Sequence, residues 1–225
     1  MARTPQRGWV DPDLAAELPG LELLVLRVPG GGGRSPAPVR DRLRELAGRI
    51  TGAHVIHLRQ DDVPWAYRVL WRHLGLDPDS DRTPIERLMV DRLVRGGLPS
   101  RGLPDDALAL ATLETGVPVL AFDAARVGAS LGLRSARAGE TLDDGPAGRL
   151  TRGELIYADE RPLARLDGEV AERCAVSAAT RAVALCALCA PNVARVAADE
   201  ALWTAAEVLG GAGTLDEVGP PGRKR

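Results

Sequence analysis

The sequence predicts an α+β domain. Apolar residues recur at helical spacing through the first half of the chain. Short apolar runs bounded by Gly, Asp and Pro fill the second half, and a final helical stretch closes it. Helices and strands are therefore segregated, unlike the alternation of an α/β fold. A chain of 225 residues is short enough to organise around one core. We read a leader over residues 1–20, a single domain over 21–210 and a flexible tail over 211–225.

The first element is the apolar run 21–28 (LELLVLRV), a buried strand between Gly20 and Pro29. The glycine-rich stretch 30–35 lacks the Gly-Lys-Ser/Thr ending of a phosphate loop and reads as a flexible connector. Val39, Leu43, Leu46 and Ile50 give an amphipathic helix. A second helix covers 64–74, stopped by Gly75. The third carries the clearest signals, with Thr83 as N-cap, Pro84 at the first helical position, Glu86 closing a capping box and Gly96-Gly97 ending it. Its apolar face, Ile85, Leu88, Met89 and Leu93, leaves Arg87, Arg92 and Arg95 toward solvent. A fourth helix, 105–115, ends at Gly116. Strands follow at 117–122, 131–136, 155–158, 163–166 and 182–189. Asn192 is expected to cap a last helix running to Leu209, with Val193, Val196, Ala197 and Val208 inward.

An apolar share of 45% and a charged share of 27% argue against disorder and against a membrane protein. Net charge is −2, so RNA affinity requires a local basic patch. The start of the chain lacks the apolar segment of a signal peptide, and no run is long enough for a bilayer, so the expected location is the cytoplasm and no membrane contact is expected. Cys174, Cys186 and Cys189 are expected as reduced thiols.

Cys186 and Cys189 have the spacing of a metal or redox pair, but a zinc site takes about four ligands. His54, His57 and His73 supply no second paired spacing, so core packing is the reading, with no metal and no cofactor. No Gly-x-Ser-x-Gly elbow or triad context supports a protein nucleophile. The pairs Asp61-Asp62, Asp105-Asp106 and Asp143-Asp144 sit at expected helix starts or turns and read as structural. Trp65, Tyr67 and Trp71 read as core.

The stretch from Tyr67 to Glu140 is more specific. It contains Tyr67-Arg68, Leu74-Gly75-Leu76-Asp77-Pro78, Arg82-Thr83-Pro84-Ile85-Glu86-Arg87-Leu88, Gly97-Leu98-Pro99, Asp106, Gly116-Val117-Pro118-Val119-Leu120-Ala121-Phe122-Asp123, Leu133-Arg134 and Ala138-Gly139-Glu140. With Gly153-Glu154-Leu155-Ile156-Tyr157-Ala158-Asp159 downstream, this order resembles the B3/B4 domain family, the editing domain of the phenylalanyl-tRNA synthetase beta subunit and its free-standing relatives. The resemblance covers roughly residues 60 to 190.

It implies a β-sandwich-like core with packed helices. It also implies an aminoacyl-tRNA deacylase acting in trans on a mischarged or non-protein aminoacyl ester. The same pocket could instead serve a non-catalytic module that binds tRNA or an amino acid. Hydrolysis of this kind needs no protein nucleophile when a water is held against the ester carbonyl, and no residue is assigned as catalytic. The implied partner is the acceptor end of aminoacyl-tRNA, with a free amino acid as a further ligand and no DNA. A chain of this length has no room for an aminoacylation core, so it is not expected to be a ligase by itself.

Carried over by position, the implied substrate pocket comprises Asp106, Leu108, Leu120, Ala121, Asp123, Asp167, Gly168, Glu169 and Glu172. Leu120 stands where the synthetase pattern has a histidine, Leu108 where it has a threonine, and 166–169 where it has a glycine-rich stretch. Those departures remove polar groups and put tyrosine specificity in doubt. Asp106, Asp123, Arg134, Asp159 and Glu172 remain as polar candidates. Arg87, Arg92, Arg95 and Arg101 cluster around one helix and its exit, as a phosphate-contacting patch for tRNA would.

Overall fold

The computed structural model describes residues 4–143 and 148–215. Among them the order is β1 (Gln6–Arg7), β2 (Trp9–Val10), α1 (Pro12–Glu17), β3 (Glu22–Pro29), α2 (Ala37–Arg49), α3 (Gly52–His57), α4 (Asp62–His73), α5 (Pro84–Arg95) and α6 (Leu103–Thr115). Then come β4 (Val119–Asp123), β5 (Gly132–Ser135), β6 (Leu155–Ala158), β7 (Pro162–Arg165), β8 (Ala182–Cys189) and α7 (Arg195–Leu215). Helices precede most strands, as the α+β reading expects.

The strands form two four-stranded sheets, β1-β3-β8-β4 and β2-β5-β6-β7, in which only β2 and β5 run parallel. β8 is the pivot. It pairs with β3 and β4 at once, setting Cys186 opposite both Val25 and Leu120. Every residue of β8 after Ala182 is buried, because α7 lies against this sheet and the second sheet covers the other side. Such two-sided cover explains why β8 reads as a continuous apolar run rather than an alternating one. Phe122 of β4 meets Tyr157 of β6 across the sheets, ring centroids 6.4 Å apart and tilted by 58°. On the outer layer, α6 packs against α2, α5, α7 and β4. It is apolar on several sides for that reason.

Of the stretch 1–20, expected as a leader on the surface, the described residues 4–20 instead lace the two sheets together. β1 extends the first sheet, β2 joins the second, and Leu14 and Leu18 enter the core. Gly8 stands between the two short strands, where a Cβ would come within 2.5 Å of the Leu131 carbonyl oxygen and within 3.0 Å of Leu23. No other residue fits that crossing without displacing backbone. The tail also differs, since α7 runs on to Leu215; residues 216–225 lie outside the described residues.

The capping box of α5 forms as expected. Thr83 donates from its backbone N–H and its hydroxyl to Glu86. Arg68, buried in α4, donates to the same carboxylate at 2.5 Å, so one buried ion pair fixes where α5 starts. Four local expectations differ from the structure. Leu93 is 37% exposed and Val196 70% exposed, both expected inward. Asn192 adopts a left-handed φ of 69° ahead of α7 instead of capping it, so the helix begins at Arg195 and turns Ala198, Ala201, Leu202, Ala205 and Leu209 inward. Trp65 is half exposed beneath the Arg72 guanidinium, whereas Tyr67 and Trp71 are core.

Candidate functional site

The N-terminus of α6 is the centre of the site. Asp106, in its first turn, is almost fully buried and accepts from the Ser35 hydroxyl at 2.6 Å, from the Ser100 hydroxyl, and from the Arg101 N–H at 3.0 Å. One carboxylate thus ties the segment after β3 and the α5–α6 connection to α6. A buried carboxylate must be compensated in this way or it becomes costly. The glycine-rich stretch is held as well, which corrects its reading as a flexible connector. Gly30 N–H donates to Arg181 O, Gly32 N–H to Ser177 O, and Leu103 N–H to Gly33 O. A Cβ at Gly31 would lie 2.1 Å from Thr180 O, so the two chains lie closer than any side chain permits.

Two cavities open on this scaffold. The larger, about 430 Å³, lies between α5, α6 and the β7 turn and is lined by Arg87, Asp91, Arg95, Arg101, Asp105 and Thr112 with the apolar Leu88, Leu98 and Leu108. The smaller, about 310 Å³, is walled by Leu108, Leu120, Ala121, Val170 and Val176 and by backbone at Gly32, Gly33 and Gly102. Arg101, Asp105, Leu108 and Gly168 line both, so the cavities meet along that seam. Gly168 holds a left-handed φ of 100° in the turn after β7, and Arg87 pins this turn by donating to Asp167 O at 2.8 Å. Leu120 faces the smaller cavity, half-buried, with a methyl 3.7 Å from where a Cβ on Gly168 would stand.

Of the pocket residues carried over by position, Asp106, Leu108, Leu120, Ala121, Asp167, Gly168 and Glu169 line one or both cavities. Asp123 and Glu172 line neither. Asp123 accepts from the Thr180 hydroxyl at 2.7 Å and from Ala125 N–H, closing a turn. Glu172 is exposed, with its N–H donating to the Asp143 carboxylate at 3.0 Å. Asp159 likewise holds a turn, through Gly128 and Arg161 N–H. Asp144 lies outside the described residues.

Arg134 donates to both Glu140 oxygens at 2.7 Å. That hydrogen bonding holds the Glu140 carboxyl below its ordinary value of 4.5 against the opposing effect of burial, and the Arg137 N–H helps. A depressed folded value means the pair stabilises the fold above the ordinary value and ceases to as pH falls through the depressed one. Wild type is therefore expected to lose stability below about pH 4.5 more steeply than Glu140→Gln does. Urea midpoints against pH check this, and parallel curves would refute it.

The structure brings forward one residue that the sequence reading left as a helix-start acid. Asp105 stands on the seam, open at the mouth. Burial against the cavity wall raises its carboxyl above the ordinary value; Arg101 opposes this and Asp106 reinforces it. Its place in an acidic first turn was visible, but not that Asp106 alone would turn inward. Cys186 and Cys189 are buried, three apart on a strand and so on opposite faces, which prevents them from closing on one ion. Burial pushes the Cys186 thiol up to about 12 and Cys189 to about 11.

The arginines occupy different positions. Arg87, Arg95 and Arg101 line the larger cavity. Arg92 is only half exposed and donates to Ala47 O at 2.6 Å, tying α5 to α2. Among the described residues no helix is long and apolar enough to cross a membrane.

Comparison with known proteins places this geometry in context. A family model described as the B3/4 domain matches residues 75–208, which carry most of both cavities. A phenylalanine–tRNA ligase beta subunit of Methylococcus capsulatus is 38% identical over 143 residues, 61% of this chain and 17% of that protein. Beta subunits of Streptomyces avermitilis and Neisseria meningitidis are 36% identical over 89 residues and 34% over 128, covering 39% and 55% of this chain. The chain spans between 10% and 17% of the length of these relatives.

Proposed function

Since the chain belongs to the B3/4 domain family, we propose that it hydrolyses the ester of a mischarged or non-protein aminoacyl-tRNA. The observation that carries this reading is the seam where the two cavities meet. The smaller cavity has the size and apolar wall to take an amino-acid side chain against Leu108, Leu120 and Ala121. The larger, with three arginines at its wall, suits the terminal nucleotide. The ester then lies on the seam beside Asp105 and Arg101.

In the step proposed, the oxygen of a water attacks the ester carbonyl carbon. The bond to the ribose oxygen breaks, and that oxygen leaves with a proton as a free hydroxyl. The products are the amino acid and uncharged tRNA. Asp105 orients the water and accepts its proton transiently, while Arg101 and the N-terminal end of α6 favour the developing negative charge. No covalent intermediate on the protein is required.

A deacylation screen over purified charged tRNAs tests the reading, and at least one ester is expected to hydrolyse above the buffer rate. If a broad panel shows none while tRNA still binds, a non-catalytic binding module is the better description.

Selectivity follows from Leu120. A leucine facing the recess leaves a substrate hydroxyl unpaired, at about 1–3 kcal/mol. Apolar side chains are therefore expected to be preferred over tyrosine by roughly ten- to a hundredfold. Leu120→His is expected to narrow that gap without abolishing turnover, read from tyrosyl- and phenylalanyl-charged tRNA side by side. Equal selectivity in the two proteins would overturn the assignment.

A further inference from the structure

A third cavity, about 550 Å³, runs between α2 and the end of α5, and among the described residues its charged lining consists of Arg40, Arg44, Arg92 and Arg95 with no acid. In a chain of net charge −2, four cations without a carboxylate in one trough are a local concentration of positive potential. The charges are not cancelled by their anchors. Arg40 donates to Ser35 O at 2.7 Å and Arg92 to Ala47 O, both neutral carbonyls. Arg44 pairs with Asp41 at 2.6 Å and Arg95 with Asp91 at 3.7 Å, but the Arg44–Asp41 pair is exposed and Asp91, itself partly buried, is shared at the same distance with Arg101, and exposed or shared pairs of this kind are weak and readily exchanged.

The trough shares Leu43, Arg95, Leu98 and Pro99 with the larger cavity of the candidate site, so it opens onto that mouth. Arg40 and Arg44 lie outside the 75–208 match, so half of its charge is contributed by this chain's own N-terminal part.

We infer that the α2–α5 trough binds the phosphodiester backbone of a single-stranded RNA 3′ end, the nucleotides that precede the aminoacylated ribose. This rests on the reading of the neighbouring cavities as the deacylation site. Arginine forks take phosphate oxygens in pairs, and the residues that the trough shares with the larger cavity lead the strand on toward the seam. Among the described residues no aromatic side chain lines the trough, so stacking does not contribute and contact is blind to base identity. Discrimination then falls to the amino-acid recess.

The test uses the full chain and a fluorescently labelled acceptor-stem minihelix, uncharged, with its single-stranded 3′ end, titrated between 50 and 200 mM salt. Each phosphate contact on a single strand contributes about 0.7 to the slope of log affinity on log salt. Arg40→Ala combined with Arg44→Ala, which line the trough and neither cavity of the candidate site, should flatten the slope by about 1.4, so that wild type loses about sevenfold more affinity over that range than the variant. Arg40→Lys with Arg44→Lys should restore the slope, and a blunt-ended minihelix should bind wild type with the flattened one. An unchanged slope in the alanine pair, or failure of the lysine pair to restore it, overturns the proposal. Binding is read without catalysis, so the two readings separate. A changed slope with no ester hydrolysed leaves the trough standing and removes the deacylase; hydrolysis with an unchanged slope does the reverse.

Discussion

Replacing Arg68 by methionine is expected to cost about 3–5 kcal/mol of stability, the range for removing one partner of a buried ion pair. Arg68 and Glu86 are 3% and 4% exposed at the side chain, with a nitrogen–oxygen separation of 2.5 Å. Without the guanidinium, the Glu86 carboxylate stays buried with only the Thr83 donors and with Arg59 at 3.7 Å. The Arg68 Nε has no partner among the described residues, so methionine also removes an orphaned donor, a small gain against the larger loss. The double change Arg68→Met, Glu86→Gln removes both charges and keeps an acceptor for the capping box, so it should recover most of the loss. Urea unfolding of wild type, single and double variants reads this directly. A single variant within about 1 kcal/mol of wild type would mean the pair is exposed in solution. Because α5 carries Arg87, Leu88, Asp91 and Arg95 to the cavity, the single variant should also weaken the proposed tRNA binding at temperatures where it remains folded.

The second large effect is expected at Asp105, as a consequence of the proposed hydrolysis. Asp105→Asn keeps size and hydrogen bonding but cannot take a proton, and loss of a positioned base slows turnover by about 10²- to 10⁴-fold. The pH profile distinguishes this from mere disturbance of the site. Only the ionised carboxylate orients and deprotonates water, so the wild-type rate should rise with pH through a value above that of an ordinary aspartate, in keeping with the raised Asp105 carboxyl. The residual rate of Asp105→Asn should lack that limb. A variant that is slow yet retains the limb would place the titrating group elsewhere. Substituting Asp106 is not an equivalent test, because its carboxylate holds Ser35, Ser100 and Arg101 together and its loss would misplace the whole seam.

Much of the fold was legible because its signals are local. Thr83, Pro84 and Glu86 announce the start of α5 through bonds made within three residues. β8 and β3 declare themselves by apolar runs long enough to need cover on both faces. Leu108, Leu120, Ala121 and Gly168 were placed at the pocket by position in a pattern, and the structure sets them together around the smaller cavity. β1 and β2 were not legible. A two-residue strand has no periodicity, and what makes Gln6–Arg7 and Trp9–Val10 strands is the presence of β3 and β5 beside them.

The sequence by itself determined the α+β class, the order of the main elements, the caps that start and stop them, and the membership that residues 75–208 carry. Tertiary structure alone decided which of two adjacent acids is buried. Asp105 and Asp106 are chemically identical, and successive positions of a helix differ in direction by about 100°. That rotation sends one carboxylate into three donors and leaves the other on the seam between two cavities. It likewise decided that Arg40 and Arg44, some fifty residues from Arg92 and Arg95 along the chain, share one trough with them. Charges so far apart in sequence act together only once packing has brought α2 and α5 side by side.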